Sequence, residues 1–134
     1  MSTYVLDSSA ILCFLRNEPG ADIVDALLTD TANQHVIHAV NWTEVRYLER
    51  RGQLPKDKSL QEFTSQVDIS ISNELSPAFR EGVALLKAEY PPIALGDCFA
   101  VALAQALDAT LVTTDRSELE KLAVEGICKI LFLR

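Results

Sequence analysis

Four acidic residues stand at comparable places in the chain. Asp7 closes the apolar run "YVLD", Glu44 lies in "NWTEV", Asp97 in "LGDCFAVALA", and Asp115 closes "LVTTD". Carboxylates gathered in one crevice repel each other, so such a set raises some of its own pKa values or takes up cations. Oxygen ligands without imidazole or thiolate suit Mg2+ or Mn2+, which bind through one or two carboxylates, waters and a substrate's phosphates. A cation so held acidifies water, stabilises charge on a phosphoryl oxygen and clamps a leaving group; phosphodiester hydrolysis uses all three effects. Each acid alone has a plainer reading. Asp7, Asp97 and Asp115 each adjoin a helical stretch and suit an N-cap, and Glu44 follows Asn41 at capping-box spacing.

The elements that must position these acids follow from periodicity. "TYVL" reads as a strand and "SSAILCFLRN" as a helix; "ADIVDALLTD" is helical, "HVIHAV" strand-like, and "NWTEVRYLERRG" helical up to Gly52. "LPKDKSLQEFTSQV" suggests another helix, "DISIS" alternates with period two, and "SPAFREGVALLKAEY" is a helix with Ser76 as cap and Pro77 in its first turn. Pro91 and Pro92 stop that helix. "ALGDCFAVALAQALD" is apolar on nearly every face and should be buried, "ATLVTT" and "CKILFL" read as strands, and "SELEKLA" is a short helix between them. Strands alternating with helices predict an α/β fold, a parallel sheet covered on both faces in three layers. Ligands of such sheets bind beyond the carboxyl ends of the strands, where the chain changes direction across the sheet. Asp7 and Asp115 both fall at strand ends, and they share one crevice if the first and fourth strands are neighbours.

A chain of 134 residues, 49% hydrophobic, fits one domain over 1–134. Its net charge of -7 argues against a surface that coats nucleic acid without selectivity. Cys13, Cys98 and Cys128 are far apart in apolar segments and form neither a disulfide framework nor a metal motif, which suggests a reducing compartment. No signal-peptide pattern opens the sequence and no apolar run nears the roughly 20 residues of a membrane span, so a cytoplasmic location is expected.

"YVLDSSA", "NWTEV", "LGDCFAVALA" and "LVTTD", in this order and spacing, resemble the PIN domain, and among PIN proteins the VapC-type toxins of toxin–antitoxin modules. The resemblance runs from "YVLDSSAI" to "KILFL". It implies a three-layer PIN-like fold with strand order 3-2-1-4-5 and a metal-dependent endoribonuclease using Mg2+ or Mn2+. Carried over residue by residue, it makes Asp7 and Asp97 metal ligands, Glu44 and Asp115 the remaining acids of the catalytic set, and Ser9 and Thr113 supporting groups. After Asp115 the pattern departs: many relatives carry a further acidic or aromatic residue there, and this chain has Ser117 and Leu119, which leaves both a ligand and an orienting role open for Asp115. The resemblance also implies an antitoxin (VapB-like) partner packing over the helical region of Ala21–Leu28, Tyr47 and Leu48, together with a homodimer.

An acidic chain that binds RNA needs local positive charge. Arg46, Arg50, Arg51, Lys56 and Lys58 cluster beside Glu44, and Arg116 adjoins Asp115; Arg46, Arg50 and Arg116 are the candidate phosphate contacts. The plainer reading of the cluster is a solvated helix face with intrahelical ion pairs. His35 and His38, three apart in a strand, point to opposite faces and make a poor metal pair. Two other functions fit the same residues: a PIN nuclease for RNA processing or DNA repair with no toxin role, and a non-catalytic PIN scaffold. An aspartyl-nucleophile phosphatase is disfavoured, because Ser9 stands where such enzymes place a second aspartate.

Overall fold

The computed structural model describes residues 1–134. Five strands, β1 (Thr3–Leu6), β2 (Gln34–His38), β3 (Ser70–Ser72), β4 (Thr110–Thr113) and β5 (Lys129–Phe132), form one sheet. Seven helices connect them: α1 (Ser8–Leu15), α2 (Ala21–Thr29), α3 (Ala39–Arg50), α4 (Leu60–Gln66), α5 (Pro77–Glu89), α6 (Leu95–Ala106) and α7 (Arg116–Val124). Every pairing is parallel and the strand order is 3-2-1-4-5, so β1 and β4 are neighbours, with Leu6 opposite Val112.

Alternation along the strands divides the core in two. Val5 and Leu111 face a cluster completed by Phe79 and Val83 of α5, most of α6, and Leu119 and Leu122 of α7. Leu6, Ile37 and Val112 face the opposite cluster, with Ile11, Val24, Val45 and Phe63 from α1 to α4. The chain therefore leaves β1 toward one face, through α1, and leaves β4 toward the other, through α7. The two helices diverge and open a crevice between adjacent carboxyl ends, which is the switch-point geometry of open parallel sheets.

The expected elements are present; several boundaries move by one or more residues, and two of the shifts have a helix cap as their cause. Ala39 and Val40, read as strand, form the first turn of α3, because His38 caps the helix: its Nδ1 accepts from the Val40 N–H at 3.0 Å. The helix expected over "LPKDKSLQEFTSQV" shortens to α4, starting behind Ser59, whose side chain accepts from the Glu62 N–H. Ser76 and Pro77 open α5 as expected. The three cysteines are buried and unbridged. No helix is long and apolar enough to cross a membrane.

Leu111, on a strand paired at both sides and fully buried, tests this layering. Leu111→Ala is expected to cost about 3 kcal/mol through lost burial and the cavity left behind, read from urea unfolding at unchanged m-value.

Candidate metal centre

Asp7 follows β1 directly and is 1% exposed. It is an N-cap: Oδ1 accepts from the Ala10 N–H at 3.0 Å and from the Ser9 hydroxyl at 2.6 Å. The other carboxylate oxygen, Oδ2, is buried with no hydrogen-bond partner. Ser9 in turn accepts from the Thr114 N–H at 3.0 Å and lies 3.3 Å from the Thr113 hydroxyl, and Thr113 Oγ1 accepts from the Asp115 N–H at 3.0 Å. Ser9 and Thr113 thus tie the start of α1 to the end of β4, and set Asp7 and Asp115 on opposite sides of one hydroxyl pair.

Asp115 caps α7 through Oδ1, with the Glu118 N–H and the Ser117 hydroxyl each at 3.4 Å. Asp97 does not cap α6. That helix starts behind Ala94, with no side-chain cap, and Asp97 is the acid of its first turn. Side-chain oxygens of Asp97, Asp115 and Glu118 lie within 4.8 Å of one another. Glu118 is the acid that reading at fixed positions after Asp115 passed over. It sits three residues on, one helical turn from the cap, so the two carboxyls share a side of α7. The D-x-x-E capping-box spacing was the available signal.

Glu44 stands outside this tight group, against the first turn of α6. A Cβ built on Gly96 falls 2.7 Å from Glu44 Oε2. Asn41, expected as a cap, is instead inside α3 and donates from Nδ2 to Glu44 Oε1 at 2.9 Å and to the Gly96 carbonyl at 3.0 Å.

Burial dominates the electrostatics. It raises the Asp7 carboxyl from 3.8 to about 6, against the hydrogen bonds from Ser9 and Ala10. Asp97 is pushed up to about 8, by burial first, then by a hydrogen bond with the Glu118 side chain, and then by the charges of Asp7 and Asp115. Asp115 is raised by burial and then by Glu118. A buried oxygen without a donor beside three crowded carboxyls, all short of positive charge, fits a divalent cation with oxygen ligands. Asp97, Asp115 and Glu118 are the carboxyls grouped closely enough to share one ion, and Asp7 stands outside that tight group, linked to it by the charge it exerts on Asp97.

The candidate phosphate contacts are dispersed. Arg46 pairs with Glu49 on the face of α3 turned to α4, where Glu49 Oε2 also accepts from the Leu60 N–H. Arg50 is exposed at the end of α3. Arg116 lies on the rim beside Asp115, its guanidinium 4.6 Å from the centre of the Phe132 ring and its Nε donating to the Arg134 carbonyl. The histidines serve the scaffold: His38 Nε2 lies 2.9 Å from the Glu74 carbonyl and its ring stacks on Phe79, and His35 Nδ1 lies 3.3 Å from the Asp68 carbonyl. Val24 and Leu28 of α2 are core, whereas Ile23 and Tyr47 are exposed.

The model of the PIN domain matches residues 4–125. The chain belongs to the PIN domain family. No curated protein matches it in sequence. Among solved structures, this PIN domain is similar to a toxin–antitoxin complex from Klebsiella pneumoniae (19% identity, TM-score 0.71, 98% of each chain covered). It is likewise similar to VapBC2 from Rickettsia felis bound to a promoter DNA fragment (19% identity, TM-score 0.73, 97% of this chain and 98% of the other) and to DNA-bound VapBC from Salmonella typhimurium (16%, 0.68, both chains covered in full). At these identities the likeness is one of fold.

The raised carboxyls predict how stability depends on pH. Folded Asp7 and Asp97 keep their protons to about 6 and about 8, whereas an unfolded carboxyl loses its proton near 3.8. Between these values the folded state binds more protons, so the stability of the metal-free protein falls as pH rises from about 4 to about 8. Thermal unfolding across that range is expected to show the fall, and Asp97→Asn to flatten its upper part. A melting temperature that climbs with pH in metal-free buffer contradicts the assignment.

Proposed function

We propose that this PIN domain, taken as a single domain over 1–134, is a Mg2+/Mn2+-dependent endoribonuclease acting as the toxin of a VapBC-type toxin–antitoxin pair. The observation that carries the reading is Asp7 Oδ2, buried without a donor at the switch point, beside the Asp97, Asp115 and Glu118 group. A divalent cation bound there supplies positive charge for a phosphodiester's oxygens and lowers the pKa of water. Asp7, Asp97 and Asp115 hold it, and Glu118 adds a fourth carboxyl. Ser9 and the backbone of Ala10 fix Asp7 Oδ1, so that Oδ2 is the oxygen left for a cation. Glu44, with Oε1 fixed by Asn41, presents Oε2 at the first turn of α6, where it would accept a hydrogen bond or a proton from a water of the cation and so add to the cation's hold. Arg116 on the rim provides a fixed cation for a neighbouring phosphate, because Phe132 and the Arg134 carbonyl hold its guanidinium in place.

The toxin reading draws on the structural likeness to a toxin–antitoxin complex and to the DNA-bound VapBC structures. A partner surface is available next to the site: a groove of about 420 Å³ lined by Ala39, Val40, Thr43, Glu44 and Tyr47, the last 54% exposed. An antitoxin segment and a second copy of the chain are the partners this reading assigns to such surfaces.

Purified protein with Mn2+ is expected to cleave RNA and to lose roughly 100-fold or more of that rate on Asp97→Asn. Glu118→Gln is expected to weaken Mn2+ binding about 10-fold in calorimetry. Expression without a partner should arrest growth, and the Asp97→Asn protein should not. Equal cleavage by parent and Asp97→Asn would falsify the site; cleavage without growth arrest removes the toxin role and leaves an RNA-processing nuclease.

A further inference from the structure

Glu44 reaches the crevice from a different helix than the other acids, and two residues that are neither acidic nor exposed determine where it arrives. Asn41 is 0% exposed. Its Nδ2 spans two elements, donating to Glu44 Oε1 on α3 and to the Gly96 carbonyl in the first turn of α6. Only the amide nitrogen can donate, so these bonds fix which way the side chain is turned. Its Oδ1 is left buried with no partner. An orphaned buried acceptor is costly, so a residue chosen for stability alone would not leave one there. The cost attaches to a side chain whose two bonds both set the geometry between Glu44 and α6.

Gly96 makes the complementary contribution. A Cβ at this position falls 2.7 Å from Glu44 Oε2, closer than real side chains approach, and 3.1 Å from its Cδ, a tight contact. No backbone strain requires glycine here, since α6 is regular through this turn and Gly96 is not among the positive-φ glycines. The space that glycine leaves is filled by the carboxylate. The atom that would have to yield is the end of a flexible side chain, so a methyl group there displaces Glu44 and leaves the helix intact.

We propose that Asn41 and Gly96 are positioning residues for Glu44: Asn41 fixes Oε1 to the backbone of α6, Gly96 clears the room for Oε2, and together they set where the carboxylate stands in the acidic crevice. The assignment rests on the nuclease reading of the same crevice. It makes the first turn of α6 a template for two acids at once, carrying Asp97 itself and receiving Glu44 across the gap from α3.

The test is a pair of mutant cycles, Asn41→Ala and Gly96→Ala, each made in the parent and in Glu44→Ala, followed by RNA cleavage with Mn2+ and by Mn2+ calorimetry. In the parent, each change is expected to lower kcat roughly 10- to 100-fold with little change in KM, the scale of a misplaced catalytic group. In Glu44→Ala neither should lower it further. The melting temperature of Gly96→Ala should equal or exceed the parent's, because alanine favours a helix interior over glycine. A protein that is as stable and yet slower separates positioning from folding. Mn2+ affinity is expected to follow the same non-additive pattern, so a parent that binds Mn2+ without cleaving RNA defeats the nuclease reading while the cycle still decides the positioning roles. The proposal is overturned if Gly96→Ala matches the parent in both measurements, or if either change lowers the Glu44→Ala protein by the same factor as the parent.

Discussion

One carboxylate oxygen, Asp7 Oδ2, is kept out of water at the end of the central strand with no donor to satisfy it. Removing an ionised group from solvent without a partner costs several kcal/mol, and folded proteins commonly neutralise the group instead. Both responses are visible. The carboxyl of Asp7 is raised, and its neighbours Asp97 and Asp115 are raised with burial as the first cause in each. The surrounding polar groups stabilise one oxygen of Asp7 and leave the other alone. On the proposed reading, this local loss of stability is the cost of a site that takes up a cation.

The sheet order and the helices that diverge from β1 and β4 supply the crevice, and much of this was legible beforehand. Strand and helix periods were strong enough to place nearly every element, and the parallel class followed from their alternation. Capping and metal binding, however, were set against each other for Asp7 and Asp115. The structure reconciles them, because a carboxylate has two oxygens and a cap occupies one. Asp97 escaped the same ambiguity only on inspection of α6, which begins at Leu95 and needs no cap from it.

What the sequence concealed has identifiable causes. His38 is not among the common N-caps, so α3 starts two residues earlier than the pattern around Asn41 suggests, and Asn41 moves from helix end to helix interior. Glu118 was hidden by reliance on family positions where helical geometry was the better guide. The basic residues near Glu44 in sequence are turned elsewhere by the helix: Arg46, two positions on, faces α4 and answers Glu49. Proximity along the chain predicted a cationic rim, whereas the rim's fixed cation is Arg116, held by an aromatic ring and a carbonyl. On the proposed nuclease reading, positive charge for a polyanion would come largely from a cation held by the acids, which would reverse the local field of a chain whose net charge is -7.

The bond between the Thr114 N–H and Ser9 spans 105 positions of sequence. Asp7, Glu44 and Asp97 are all synthesised before the strand that carries Thr113, and Asp115 and Glu118 come after it. On the ribosome, a chain that has not yet reached β4 holds Asp7 and Ser9 without the Thr113 hydroxyl and the Thr114 N–H that tie them to the next strand, and without the carboxyls of Asp115 and Glu118. Such a nascent chain lacks the assembled acidic crevice, which forms only when the polypeptide has folded around its central pair of strands.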